Sequence, residues 1–129
     1  MMELNGTQLL TMDLKMKRGD ILWADLEPTI GQEIQKIRPV LVVSNNASNK
    51  KSGLVTIIPL SSQMNRPMAD FEVFLPSSTS GLEKDSRIMA HQIRTLSKER
   101  VQSKTILYHL SSQEMEQVDR ALKTHLSLQ

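Results

Sequence analysis

The sequence has no cysteine, which excludes disulfides, thiolate metal sites and thiol nucleophiles. Aromatic residues are almost as scarce: one Trp, one Tyr and two Phe in 129 residues. They are too few for the stacked base platform of an RNA-recognition motif or a cold-shock module. Trp23 is therefore expected to serve core and interface packing. No apolar run approaches the roughly 20 residues needed to span a bilayer, and Leu9-Leu10 is too short for a signal-peptide core. A soluble cytoplasmic protein with no membrane association is expected. Glycine-rich phosphate loops, serine elbows and paired-histidine helices are missing as well. His91, His109 and His125 are scattered without ligand spacing, so neither a metal nor a cofactor is expected.

One further absence is local. From Ile34 to Ala69 there is no Asp or Glu, yet the stretch holds Lys36, Arg38, Lys50, Lys51 and Arg66. The formal charge of the whole chain is only +2, too mild for a sequence-blind nucleic-acid coat, so the distribution of charge says more than its total. Two apolar runs, Val40 to Val43 and Leu54 to Leu60, lie inside this basic tract. Cations and hydroxyls carried on two buried strands are held rigidly, as a polyanion-handling site needs.

The length suits a single domain. Residues 1–16 alternate poorly and are expected to form a flexible N-terminal arm, leaving 17–129 as the domain. Ile21 to Leu26 reads as a strand stopped by Glu27-Pro28-Thr29, and Ile30 to Ile37 as a loop around Gly31. Pro39 biases Arg38 toward extended geometry, which puts the arginine at the mouth of strand Val40 to Val43. Asn45 to Gly53 reads as a second loop with Lys50 and Lys51 near its tip. Leu54 to Leu60 has the β-branched content of a central strand, but Pro59 cannot donate to a ladder, so a bend or an edge is expected there, with Ser61 and Ser62 at the strand end.

Ala69 to Leu75 and Ser86 to Ile93 are further strand candidates. A helical turn is expected from Ser97, and a last strand over Ile106 to Leu110. Ser111 and Glu114 have capping-box spacing, and Met115, Val118, Leu122 and Leu126 recur at helical intervals, which predicts a helix over about Ser112 to His125. Strands in quick succession followed by a terminal helix predict an α+β fold that is mainly β: a small, bent antiparallel sheet closed as a partial barrel.

Among residues that could do chemistry, Arg38 joins a permanent charge and fork geometry to a strand-root location, though a surface salt bridge would use it equally well. Ser61 and Ser62 could donate hydroxyl bonds to the same oxyanion, or simply mark a turn. If Arg38 and Ser61 converge, they would stabilise the charge of a pentavalent phosphate. RNA brings its own 2′-hydroxyl nucleophile, which leaves a proton acceptor and a proton donor to be supplied. Glu33 and His91 are the titratable candidates, each with a structural reading beside the catalytic one. Gln32 adds an amide suited to base contacts.

The segments Arg18-Gly19-Asp20, Asp25-Leu26-Glu27-Pro28-Thr29, Gly31-Gln32-Glu33, Arg38-Pro39-Val40-Leu41-Val42-Val43-Ser44-Asn45, Pro59-Leu60-Ser61-Ser62, Lys84-Asp85-Ser86 and His91-Gln92-Ile93-Arg94-Thr95 together resemble the MazF/PemK/Kid toxin family. The resemblance implies a homodimeric, SH3-like, CcdB/PemK-like barrel that cleaves single-stranded RNA or mRNA sequence-selectively and without a metal. It further implies a 2′,3′-cyclic phosphate product and neutralisation by a cognate antitoxin with an acidic, flexible tail. By the same resemblance Arg38 and Ser61 carry the phosphate chemistry, with Ser61 in place of the usual Thr and His91 where many relatives have an acid. Glu33 or His91 would assist proton transfer, while Gln32, Lys36, Ser62, Lys50, Lys51 and Arg66 would contact substrate. A CcdB-like topoisomerase poison and a non-catalytic SH3-like binding module are the alternatives, because fold alone does not choose among them.

Overall fold

The structure is a computed structural model that describes residues 15–28, 30–33, 36–101 and 105–129. Most of the expected arm, residues 1–14, lies outside the described residues. Met16 is already buried, packing with Leu22, Leu26 and Val55.

The described elements follow in the order β1 (Asp20–Asp25), β2 (Ile37–Val42), α1 (Asn46–Lys51), β3 (Leu54–Ser61), β4 (Glu72–Leu75), α2 (Ser77–Ser80), β5 (Ser86–Met89), β6 (Arg94–Ser97), β7 (Tyr108–His109) and α3 (Ser112–Leu126). Short 3-10 turns occupy Ala90–Gln92 and Lys98–Arg100. The strands form one antiparallel sheet in the order β4-β5-β3-β2-β1-β7, with β6 also paired to β3.

β3 makes this sheet curl. Its first half pairs with β6 as far as Ile57, and its end pairs with β5 from Leu60 onward. Pro59 falls in the gap between the two partners while staying in register with Val40 of β2. A residue that cannot donate to a ladder thus stands where that edge of β3 changes partner, and the sheet bends there as its sequence anticipates. The result is a half-barrel.

Both faces of the central strands are buried. Ile21, Leu41, Ile58, Leu60 and Ile88 form one core with Val118 and Ala121 of α3, and Leu22, Val40, Val42, Ile57 and Leu96 form the other. Ser111 accepts from the Glu114 N–H at 3.2 Å, and the Glu114 carboxylate accepts from the Ser111 N–H at 2.8 Å, completing the expected capping box. Met115, Val118 and Leu122 face the core, whereas Leu126 at the helix end is exposed. Among the described residues no helix is long and apolar enough to cross a membrane.

Several boundaries differ from expectation. Asn45–Gly53 is not a plain loop: Asn45 caps α1 by accepting from the Ser48 N–H at 2.8 Å. The helix is held by polar contacts, with Asn49 bonded to Ser44 and the buried Lys98 Nζ donating to the Asn49 carbonyl, so no apolar periodicity announces it. β5 stops at Met89, where Ala90–Gln92 tightens into a 3-10 turn. Arg94–Ser97 is a strand because β3 offers an open edge, across which Thr95 and Thr56 share a 2.6 Å hydroxyl bond. The expected turn begins only after it, with Ser97 as its cap. The strands expected over 69–75 and 106–110 shorten to 72–75 and 108–109.

Candidate active site

Arg38 is the second residue of β2 rather than its approach, opposite Ala24 of β1. It is half-buried and lines a cavity of 480 Å³. The same cavity takes Leu60, Ser61 and Ser62 from the end of β3, Trp23 from β1, and Glu83, Lys84 and Ser86 from the segment leading into β5. The two residues that the sequence singles out for phosphate chemistry therefore share one cavity, although 22 positions separate them, because β2 and β3 are paired neighbours. Ser61 is only 8 % exposed, and its Oγ accepts from the Gln63 N–H at 3.2 Å. That contact occupies a lone pair and leaves the hydroxyl proton to be donated elsewhere.

Trp23 is not a core residue. It is 38 % exposed and stands at this cavity with Ile37 and Leu107.

Glu33 and His91 do not join Arg38 and Ser61. With Gln32, Pro59, Gln92 and Arg94 they line a separate cavity of 420 Å³. Both cavities draw on the end of β3, with Pro59 bordering this one and Leu60, Ser61 and Ser62 the other. The Glu33 carboxylate folds back on its own turn, accepting from the Ile30 N–H at 3.1 Å. His91 packs its ring 4.3 Å from that of Phe71 and 6.2 Å from that of His125. Its Nδ1 is buried without a hydrogen-bond partner among the described residues. Burial pushes its pKa below the usual histidine value; His125 and Arg66 push the same way and Glu72 opposes them.

The expected substrate contacts separate too. Ser62 lies in the Arg38 cavity and Gln32 in the Glu33 cavity. Lys36 is exposed in the left-handed region at φ 73°, and Lys50 and Lys51 stand exposed in the last turn of α1, all three outside the two cavity linings. Arg66 is committed elsewhere. Its Nη1 and Nη2 meet the two carboxylate oxygens of Glu72 at 2.7 and 2.6 Å, while its side chain stays 45 % exposed.

Glu83 and Lys84 bring a carboxylate and an ammonium to the Arg38 cavity, although neither is given a site role from sequence and Lys84 figures only within the Lys84-Asp85-Ser86 segment. Both follow the left-handed Gly81 that ends α2 and turns the chain toward β5. Arg87 was also passed over. It is 2 % exposed inside β5, and a charge directly before the apolar run Ile88-Met89-Ala90 is the signal that marks it.

Residues 17–126 match the family model described as PemK-like, MazF-like toxin of type II toxin–antitoxin system. Endoribonuclease EndoA of Bacillus subtilis is 36 % identical over 113 residues, covering 88 % of this chain and 96 % of that protein. MazF from Deinococcus radiodurans has a similar structure, with a TM-score of 0.75 at 26 % identity over 88 % of this chain and 97 % of that one. A mycobacterial endoribonuclease in complex with its cognate antitoxin matches with a TM-score of 0.70 at 26 % identity, again over 88 % and 97 %.

Proposed function

Because the chain belongs to the PemK-like, MazF-like family of type II toxins, we propose that it is an endoribonuclease toxin that cuts single-stranded RNA sequence-selectively. The observation that carries this is the cavity shared by Arg38 and Ser61. A guanidinium fork and a hydroxyl donor facing one space can grip the non-bridging oxygens of a phosphodiester and stabilise them more strongly as charge builds in the pentavalent state.

In the proposed step the 2′-oxygen attacks the adjacent phosphorus and gives up its proton to a base, while the bond to the 5′-oxygen breaks and that oxygen takes a proton. The products are a 2′,3′-cyclic phosphate and a 5′-hydroxyl. Arg38 stabilises the phosphorane and the departing oxygen, and Ser61 holds a non-bridging oxygen. Glu83 lines the same cavity, which supports it as the proton acceptor ahead of Glu33 and His91. Those two, with Gln32, Gln92 and Arg94, line a neighbouring cavity whose mixed donors and acceptors suit contacts to a flanking nucleotide. Lys50 and Lys51 attract the RNA backbone from α1.

A cognate antitoxin with an acidic tail is the proposed protein partner, since a matched relative was solved with its own antitoxin. The family match begins at residue 17, which supports a toxin domain over 17–129 behind an N-terminal arm. Two copies are proposed to form a homodimer, as the family resemblance implies; sedimentation at micromolar concentration should give twice the chain mass. The topoisomerase-poison and binding-module alternatives gain nothing from the relatives described above.

Purified protein incubated with a long unstructured RNA in EDTA should give reproducible cuts whose 5′ ends carry hydroxyls. Intact RNA at high protein concentration would overturn the assignment.

A further inference from the structure

Ten residues, 62–71, connect Ser61 at the end of β3 to Glu72 at the start of β4 without a helix or strand of their own. Two buried charges hold this connection in place. Arg87 Nη2 donates to the Arg66 carbonyl at 2.6 Å, and Nη1 donates to the Pro67 carbonyl at 3.3 Å and to Glu72 Oε1 at 3.2 Å. Glu72 Oε1 also accepts from the Ala69 N–H at 2.9 Å, and both its oxygens take the Arg66 guanidinium. The side chains of Arg87 and Glu72 are 3 % and 0 % exposed.

Burying such a pair costs desolvation that apolar residues would not incur, so stability alone is a weak reason to keep it. Its partners suggest another reason. Arg87 is the cross-strand partner of Ser61, so both side chains leave the same face of the sheet. The connection that Arg87 clamps begins by presenting the Gln63 N–H to the Ser61 hydroxyl. A serine has no γ-methyl to restrict its χ1, so this backbone contact must hold the hydroxyl in the rotamer that aims at the Arg38 cavity.

We propose that Arg87, braced by Glu72, is a positioning residue that fixes the 62–71 connection and through the Gln63 N–H sets the rotamer of Ser61. The inference rests on the nuclease assignment of the cavity. It touches no substrate atom and acts on turnover through Ser61.

The test is steady-state cleavage of an oligonucleotide carrying a mapped cut site, with folding checked by circular dichroism and thermal melting. Arg87→Met should lower kcat about tenfold while KM stays within about twofold, because the hydroxyl is misdirected after binding. Ser61→Thr introduced into the R87M protein should restore most of that loss, since the γ-methyl confines χ1 without help from the loop. A merely structural role for Arg87 would not respond to a methyl at Ser61. Should R87M fail to fold, Arg87→Lys keeps the charge beside Glu72 but loses the fork that spans two carbonyls, and the same comparison applies. Unchanged kcat in the folded variant, or an equal loss with and without S61T, overturns the inference while leaving the nuclease intact. An inactive wild-type chain would overturn the nuclease assignment, and this inference with it.

Discussion

Arg38 and Ser61 illustrate how a single side chain gains meaning from its place on a strand. Arg38→Ala should reduce kcat/KM by about 100-fold or more, as loss of a charge-stabilising donor does elsewhere, with the fold retained because the residue is half-buried at the sheet margin. An R38A protein that cuts RNA at the wild-type rate would remove the arginine from the mechanism. Glu72 gives a prediction about stability. Its carboxyl is held down at about 2, chiefly by the hydrogen-bonded Arg66 guanidinium, against an unperturbed value of 4.5. A folded pKa below the unfolded one stabilises the protein above the unfolded value, and that contribution is lost as pH falls from 4.5 toward 2. The contribution is roughly 3 kcal/mol by linkage. Urea melts across this window should be steeply pH-dependent in the wild type and flatter in Glu72→Gln, and equal slopes would contradict the ion-pair account. His91 has the opposite charge type and the same direction of shift, so its burial destabilises the fold as pH drops through its ordinary value near 6.5. Imidazole NMR should find His91 titrating below that value; titration at or above it would show the ring to be solvated.

At the scale of the element, α3 was legible because three independent signals coincide on it. The cap, the N3 glutamate and the apolar stripe all predict the same start and the same face. Ser111→Ala should cost about 1 kcal/mol, the usual worth of an N-cap, and should lower Tm by several degrees. Glu114 carries a second duty, since its Oε1 also accepts from the Tyr108 hydroxyl at 2.8 Å and so ties β7 to the helix. The Tyr108 pKa is raised mainly by that bond. Glu114→Gln should therefore bring the tyrosine's ultraviolet titration closer to its ordinary value, and an unmoved titration would rule the bond out in solution. β6 and α1 were illegible for the converse reason. Arg94–Ser97 has one buried apolar residue, Leu96, and is a strand because β3 leaves it an edge. α1 is held by Asn49 and Lys98, contacts with no periodic signature.

For the whole molecule, the distribution of charge governs encounter with RNA. Lys50 and Lys51 are exposed and lie outside both cavities, so replacing both with Ala should weaken binding uniformly across RNA sequences and leave kcat unchanged. The slope of log K against log salt should become shallower by roughly 0.7 per lost phosphate contact. An unchanged slope would place the backbone path elsewhere. The sequence by itself determined the partial barrel with its closing helix, the bend at Pro59, the basic tract and the choice of Arg38 and Ser61. Each of these is written in local periodicity, in the chemistry of one residue type, or in an ordered set of short motifs. Only the tertiary structure decided which of the chosen residues meet. The end of β3 places Pro59 at the cavity of Glu33 and His91, and Leu60 with Ser61 at that of Arg38, while the half-exposed Arg66 pairs with a buried carboxylate. Pairing between strands far apart in the chain fixes those outcomes, and no local pattern encodes them.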